Sequence, residues 1–336
     1  MVPASINQIS SFLGSDPLII QGGGGNISFK DSSINSIWIK ASGKWLENAQ
    51  KENVYLELAL DKGKNWLASG EDDFPLDWQK NETHNNTLRA SIETSLHLLF
   101  DEAVVVHTHP VNILAHVVQK NPQDILSSRL GNINWALAPY VKPGRDLANA
   151  IGNHPNFRQC KIFILQNHGL VVCAGTPEQA QDTSLNVIDA LSLPVRNCLV
   201  DLTLLNTMVL SMAQFGYRLP SNPKIHQLAC DPLSLQSISQ VNNVLYPDQA
   251  VFLGKNAYLI DGFDQMTPGI KAPYIVIPQL GVFIQESASV MVEVMLLCHA
   301  EVLSRINDES SLNYLSDDQV AELTNWDAEK YRQSIN

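Results

Sequence analysis

The chain has 336 residues, of which 45% are hydrophobic and only 17% charged. That apolar share supports a large core and excludes wholesale disorder, and at roughly 150 residues per domain the length suits two domains. Asp plus Glu number 34 against 22 Lys plus Arg, a net charge of −12. Nucleic acid and anionic membranes are therefore poor partners, and an anionic substrate needs a local site that overrides the global field.

The five cysteines (Cys160, Cys173, Cys198, Cys230, Cys298) are odd in number and none lie as CxxC. This argues against a disulfide framework or a zinc ribbon and for a reducing compartment. MVPASINQISSFLG has neither a basic nor an apolar leader region, and YIVIPQLGVFI is too short to span a bilayer and is broken by Pro278 and Gly281. The expectation is a soluble, cytoplasmic protein.

In chain order, Ile6–Leu13 has helical spacing, followed by PLII and the glycine run Gly22–Gly25. NISFK and SIWIK alternate around a turn at Lys30–Asn35, the pattern of a β-hairpin or meander. Val54–Leu60 (VYLELAL) reads as a strand and ASGEDDFPLDWQKNETHNN as a loop. Asn86–Phe100 reads as a helix with Leu88, Ile92, Ser95, Leu96 and Leu99 on one face. AVVVH is a buried strand, and Pro110 suits the first turn of a helix running to about Gln119. KIFILQ and GLVVCA are apolar strands around a tight turn at Asn167-His168-Gly169, and Thr176 caps the helix that begins TPEQA. FGYRLPSNPK, around Phe215–Pro223, reads as a linker. A smaller α/β unit follows: a helix over Pro232–Leu245, the apolar stretches AVFLG, AYLI, YIVIP and GVFI, and a long helix from about Ser287 to Ile306. Ser316-x-x-Gln319 is a capping box that opens the last helix.

The strongest chemical signal is His107-Thr108-His109 at the end of an apolar strand. Residues i and i+2 of a strand share a face, so two imidazoles can reach one metal ion, and catalytic zinc commonly takes a third protein ligand. His168, in its tight turn, is the best third histidine. The competing reading has these as core or edge histidines satisfied by backbone carbonyls. His84, His116, His154, His226 and His299 stand alone and read as packing residues. His97 lies one turn after Glu93 on the same helix face and suits either a supporting or a packing role. Glu93, among apolar neighbours, is costly to bury unless it meets a cation, and beside a metal it becomes a usable base; the alternative is an exposed helical glutamate. The glycine run does not fit GxGxxG, and no Walker lysine is present. Gly25 and its neighbours followed by Asn26 let backbone N–H groups converge on an anion, with Ser42, Gly43 and Ser91 to complete the pocket; a flexible turn is the other reading.

GGGGNIS (Gly22–Ser28), ASG (Ala41–Gly43), SIE with the later histidine (Ser91–Glu93, His97), HTHP (His107–Pro110), APYVKPG (Ala138–Gly144) and QNHG (Gln166–Gly169) together resemble the class II aldolase/adducin family over roughly residues 5–215. LYPDQAVFLG and NWDAEKYRQ resemble the segment after the aldolase part of bacterial bifunctional rhamnulose-phosphate aldolase/short-chain dehydrogenase proteins, with the dehydrogenase half expected to be absent. The resemblance implies a three-layer α/β/α fold around a mostly antiparallel sheet. It divides the chain into a metal-dependent domain, 1–217, and a small α/β domain ending in a helix, 218–336. It also implies Zn²⁺, or another divalent metal, on His107, His109 and His168, and Glu93 as acid/base. Gly25, Asn26, Ser42, Gly43 and Ser91 fall to substrate or phosphate binding. A homo-oligomer, often a tetramer with active sites at subunit interfaces, is implied as well. Ile92 stands where aldolases often carry a second phosphate-binding serine, which leaves an unphosphorylated sugar open.

The implied activity is retro-aldol cleavage of a ketose phosphate or related hydroxy-ketone through a metal-stabilised enediolate. The alternatives are a 4-epimerase or sugar-acid phosphate decarboxylase using the same residues, or a non-catalytic adducin-like assembly module. Retention of three histidines and Glu93 favours an enzyme.

Overall fold

The computed structural model describes residues 2–71, 88–267 and 269–335. Two compact units emerge, one of residues 1–113 and 122–192 and the other of 114–121 and 193–336. His84, most of the polar loop and the first residues of the Asn86–Phe100 segment lie outside the described residues.

The first unit holds α1 (Ala4–Gly14), β1 (Asn26–Asp31), β2 (Ser36–Lys40), β3 (Tyr55–Ala59), α2 (Leu60–Ser69), α3 (Thr94–Leu99) and β4 (Val104–Thr108). α4 (Val111–Val117) begins in this unit and ends in the other. Then come α5 (Gln123–Leu130), β5 (Ala136–Ala138), α6 (Arg145–Gly152), β6 (Ile162–Leu165), β7 (Gly169–Ala174) and α7 (Pro177–Ala190). Seven strands form one sheet in the order β3-β2-β1-β4-β7-β6-β5, antiparallel throughout except for the β5–β6 pair.

Both faces of the sheet are covered, as the strands themselves require. Every residue of β2, β4 and β6 is buried, so neither alternating set of side chains can meet water. On one face Val105, Phe163, Leu165, Val171 and Cys173 share a core with Leu96 and Phe100 of the α3 segment and with Leu147 and Ile151 of α6. Ile37, Ile39, Leu56 and Leu58 pack with Trp66 of α2 and Leu98 of α3. α7, opened by Thr176, whose side chain accepts from Gln179 N, packs on β4 and β7 and also against α1. The fold is the three-layer α/β/α arrangement around a mostly antiparallel sheet.

Two local differences from the sequence reading have clear causes. Among the described residues of the helix expected over Asn86–Phe100, only Thr94–Leu99 is helical, because the backbone just before it is already engaged. Ser42 N donates to Arg89 O and Ala41 bridges Ala90, so Arg89 and Ala90 extend the sheet edge rather than coil. Ser91 then closes a turn, its Oγ accepting from Glu93 N and its carbonyl from the Thr94 hydroxyl, the usual competition of short polar side chains with helix. Secondly, α2 fills the stretch between the expected strand, which ends at Leu60, and the expected loop, which begins at Ala68. Its apolar stripe is short, and Gly63 interrupts it because a Cβ there would sit 2.8 Å from Leu98 Cδ2.

The second unit holds α8 (Leu202–Ala213), β8 (Tyr217–Arg218), α9 (Gln227–Cys230), α10 (Pro232–Ile238), α11 (Pro247–Leu253), β9 (Tyr258–Leu259), β10 (Tyr274–Ile277), β11 (Gly281–Gln285), α12 (Val290–Leu303), α13 (Asp317–Thr324) and α14 (Asp327–Ser334). Its sheet order is β8-β11-β10-β9. The segment read as a linker contains β8, which pairs with β11. AVFLG is the end of helix α11, while AYLI, YIVIP and GVFI carry β9, β10 and β11. The helix expected to reach Leu245 stops at Ile238. The Ser316–Gln319 capping box forms with both reciprocal bonds, but α14 follows the helix it opens. The five cysteines are free thiols. Among the described residues no helix is long and apolar enough to cross a membrane.

Two lone histidines take structural roles here. His226 Nδ1 accepts from Val282 N at 3.1 Å, and His299 packs beside Tyr246, whose hydroxyl is 3.4 Å from its Nδ1. Burial pushes His226 down to about 4 and His299 down to about 3. Unfolded imidazoles take up protons near pH ~6.5, so between there and the folded values the unfolded chain binds more protons. Stability therefore declines as pH falls below roughly 6.5. We expect the free energy of urea unfolding to drop from pH 7.5 to pH 5.0, and His299→Gln to flatten that slope; a slope unchanged in the variant would remove His299 from the account.

Candidate active site

The end of β4 is where the sheet presents chemistry. β4 is a central strand, paired with β1 on one side and β7 on the other, so its direction and register are fixed twice. Val105 faces the α3/α6 core, and His107, two residues on, emerges on that same face just beyond it. The chain then leaves the strand under tight control. His109 N donates to Ile19 O, Val111 N to Leu18 O, and Gln21 Nε2 to the carbonyls of Pro17 and His109. The PLII stretch thus acts as the clasp that aims His109.

His168 arrives from the β6–β7 turn. Leu165 pairs with Gly169, His168 N donates to Leu165 O, and Asn167 takes a left-handed φ of 53° to make so short a reversal. Gly169 has no alternative, because a Cβ would stand 2.3 Å from Thr108 O. The turn therefore lies flat against the His107–His109 segment.

The three imidazoles converge. Ring centroids are 4.8 Å apart for His107–His109 and His107–His168 and 5.1 Å for His109–His168, and one nitrogen from each lies within 4.8 Å of the others. All three side chains are buried. His107 Nε2 and His109 Nε2 are 3.1 Å apart. Tetrahedral zinc with Zn–N of roughly 2.0–2.1 Å separates neighbouring ligand nitrogens by about 3.3 Å, so the spacing suits one shared cation. His107 Nδ1 lies 2.9 Å from Leu170 O, so Nδ1–H donates there and Nε2 is the nitrogen turned toward Glu93 and the other two rings. The donor set fits a divalent ion of the zinc type.

Glu93 completes the cluster. Its Oε1 is 3.2 Å from His107 Nε2 and 3.6 Å from His168 Nε2, and the side chain is buried. Burial alone would push this carboxyl up, but the adjacent imidazoles, His107 foremost, offset it and hold the group well below the usual carboxylate range. The exposed-helix alternative for Glu93 is thereby set aside. His97, one turn on, is fully buried with Nδ1 2.8 Å from Ser28 Oγ, and burial holds it well below the ordinary imidazole range. It couples α3 to β1 as a neutral ring.

The expected anion-pocket residues lie on adjoining segments. Asn26 pairs with His107 across β1–β4, so their side chains share a face. Asn26 is fully buried, and among the described residues neither its Nδ2 nor its Oδ1 has a hydrogen-bond partner. Gly25, with φ of 61°, packs so closely on His107 O that a Cβ would be 3.0 Å away. Ser42 and Gly43 form a turn closed by Lys44 N donating to Ala41 O, and the Ser42–Arg89 bond draws the stretch leading to Ser91 alongside. Lys40 is the residue that the sequence reading misses. Its side chain is fully buried, with Nζ donating to the carbonyls of Gly23, Gly24 and Lys44. A lysine ending an apolar strand beside a glycine turn is the only trace of this in the sequence.

The chain is 28% identical over 193 residues to the uncharacterized oxidoreductase YuxG of Bacillus subtilis (strain 168), a match covering 53% of this chain and 27% of that protein. The chain thus spans about a quarter of the length of that curated relative. Among solved structures it is similar to the N-terminal class II aldolase domain of a conserved protein from Thermoplasma acidophilum, with a TM-score of 0.44 and 24% identity over 56% of this chain and 90% of that one. The l-fuculose-1-phosphate aldolase of Thermus thermophilus gives a TM-score of 0.37 and 20% identity over 56% and 87%. The family model for the class II aldolase and adducin N-terminal domain matches residues 14–193, more than half of the chain, and the protein belongs to that family.

Proposed function

We propose that the protein is a zinc-dependent aldolase that cleaves a C–C bond of a ketose phosphate or related hydroxy-ketone in the retro-aldol direction. The observation that carries this reading is the convergence of three buried imidazoles on Glu93. An assembly module has no need of four ionisable groups in a buried cluster, which is costly unless a cation and a substrate use it. The chemistry a divalent ion supplies when bound is Lewis-acid polarisation of a carbonyl and its neighbouring hydroxyl, which lowers the cost of the charge left by C–C cleavage.

His107, His109 and His168 hold the ion, and the Leu170 carbonyl keeps His107 in the correct tautomer. Glu93 Oε1 takes the proton of the hydroxyl whose carbon becomes the aldehyde and returns it to the carbanionic carbon of the other fragment. Asn26 with Gly25, Ser42, Gly43 and Ser91 orients the distal end of the substrate, so that the scissile bond meets Glu93 in one pose. The homo-oligomer and the cytoplasmic location belong to the same proposal.

The test begins with metal. We expect the full chain to take up one divalent ion, and His107→Ala or His168→Ala to weaken that uptake by more than about a hundredfold. A wild-type chain that takes up none overturns the proposal. Glu93→Gln separates binding from chemistry. It should retain the ion while turnover of the best substrate from a panel of free and phosphorylated ketoses falls by about 10²–10⁴. Stereochemical analysis of products decides the reaction, since an aldehyde plus a shorter ketone marks aldol cleavage, and an epimer or CO₂ replaces it with one of the sister reactions.

A further inference from the structure

Glu93 is the group on which the proposed chemistry turns, yet its own segment gives it little rigidity. α3, which it opens, has only six residues, Thr94–Leu99. A helix so short is marginal by itself and takes its stability from tertiary contacts. Its leucines reach two separate cores, Leu96 sharing one with Val105 and Phe163, Leu98 the other with Ile37 and Ile39. Apolar contacts are non-directional, so they hold the helix on the sheet without fixing its rotation about its own axis. Any such rotation carries Glu93 with it.

The directional contact is polar and lies one turn further on. His97 N donates to Glu93 O at 3.2 Å, which ties the two residues through the helix backbone. His97 Nδ1 is 2.8 Å from Ser28 Oγ, and both residues are fully buried. Ser28 pairs with Val105 in the same ladder in which Asn26 pairs with His107. The path from Glu93 through His97 and Ser28 into β1, across to β4 and along it to His107 therefore closes on itself, because Glu93 Oε1 is 3.2 Å from His107 Nε2. Apolar side chains of similar shape would fill the same space at little loss of stability, since replacing both partners of a buried hydrogen bond is nearly neutral. What the polar pair adds is an angle and a distance. Burial keeps the ring neutral, so it brings no second charge to the carboxylate.

We propose that His97, held by Ser28, is the positioning residue for Glu93: their hydrogen bond fixes the rotation of α3 on the sheet and with it the place of the Glu93 carboxylate against His107. His97 acts through the helix backbone and takes no part in proton transfer itself. The inference deepens the proposed function. It rests on that reading for the role of Glu93, whereas the geometry it predicts is independent of the reaction the site performs.

Ser28→Ala deletes one hydroxyl and leaves the His97 ring in place. In the metal-loaded full chain we expect kcat on the best substrate of the ketose panel to fall about ten- to a hundredfold, the scale on which a misplacement of about 1 Å registers. KM and the Zn²⁺ dissociation constant should stay within about twofold, as for sites that share no partner. His97→Phe should lose as much in kcat, and Ser28→Ala added to it should cost nothing further. His97→Asn, which keeps a hydrogen-bonding group near the place of Nδ1, should recover much of the loss. A Ser28→Ala enzyme with wild-type kcat, or two losses that multiply in the double variant, overturns the proposal. Should His97→Phe fail to fold, or no ketose be turned over, crystal structures of wild type and Ser28→Ala decide: the variant's Glu93 Oε1 should lie about 1 Å or more further from His107 Nε2. An unchanged separation is equally fatal. A chain that turns over no ketose yet shows the displacement sinks the aldolase reading and leaves this one standing.

Discussion

The first unit is organised by the need to keep three imidazole nitrogens and one carboxylate oxygen within a few ångströms of each other, away from water. Side chains alone cannot enforce that, because each has rotamers that would relieve the crowding. The constraint comes from the backbone. β4 is pinned between β1 and β7, the His107–His109 segment is held by carbonyls and an amide of residues 17–21, and the His168 turn is pressed onto Thr108 through Gly169. Glu93 sits at the junction where the extended Arg89–Ala90 stretch turns into α3, and the Ser91 turn fixes the angle of that junction. Four chain segments far apart in sequence thus meet at one end of one central strand.

Much of this architecture was legible because it depends on short-range patterning. Alternation in NISFK and SIWIK marks strands by their period of two, and the short apolar runs in AVVVH and in the pair KIFILQ/GLVVCA mark strands buried on both faces. The failures occur where a distant partner decides. Leu88 and Ile92 have helical spacing relative to Leu96 and Leu99, but the hydrogen bond from Ser42 N to Arg89 O claims the backbone first. α2 hides behind Gly63, a residue that local propensity counts against a helix and that packing against Leu98 demands. FGYRLPSNPK looks like a linker by its glycine and prolines, yet Tyr217–Arg218 finds an edge on β11 that no local signal announces.

The site divides in the same way. HxH at the end of an apolar strand and a histidine in a glycine-bounded turn are legible because the metal reading needs only strand periodicity and a plausible third ligand. Glu93 was half legible: its apolar neighbourhood implied burial, but the compensating imidazoles come from β4 and the β6–β7 turn and are visible only in three dimensions. Lys40 was illegible, since its partners are backbone carbonyls, which carry no residue identity for a sequence to display.

Buried polar groups away from the histidine cluster are answered by neighbours, and those beside it are not all so. In the second unit Glu301 meets Lys224 and Arg305, each at 2.6 Å, Asp231 meets Arg196 and Ser234, and His226 receives Val282 N. Each of these charges or dipoles is answered by a neighbour, which fixes a unique packing and leaves little for a ligand to add. In the first unit the Asn26 amide and the Nε2 of His97 are fully buried without hydrogen-bond partners among the described residues, within the same stretch of β1 and α3 that flanks the histidine cluster. An unanswered buried donor costs on the order of 1–3 kcal/mol, so two such groups beside the histidine cluster are a local cost that packing alone does not explain. Asn26 on β1 and His97 on α3 thus place open hydrogen-bonding capacity beside the three imidazoles and Glu93, where the proposed function needs it.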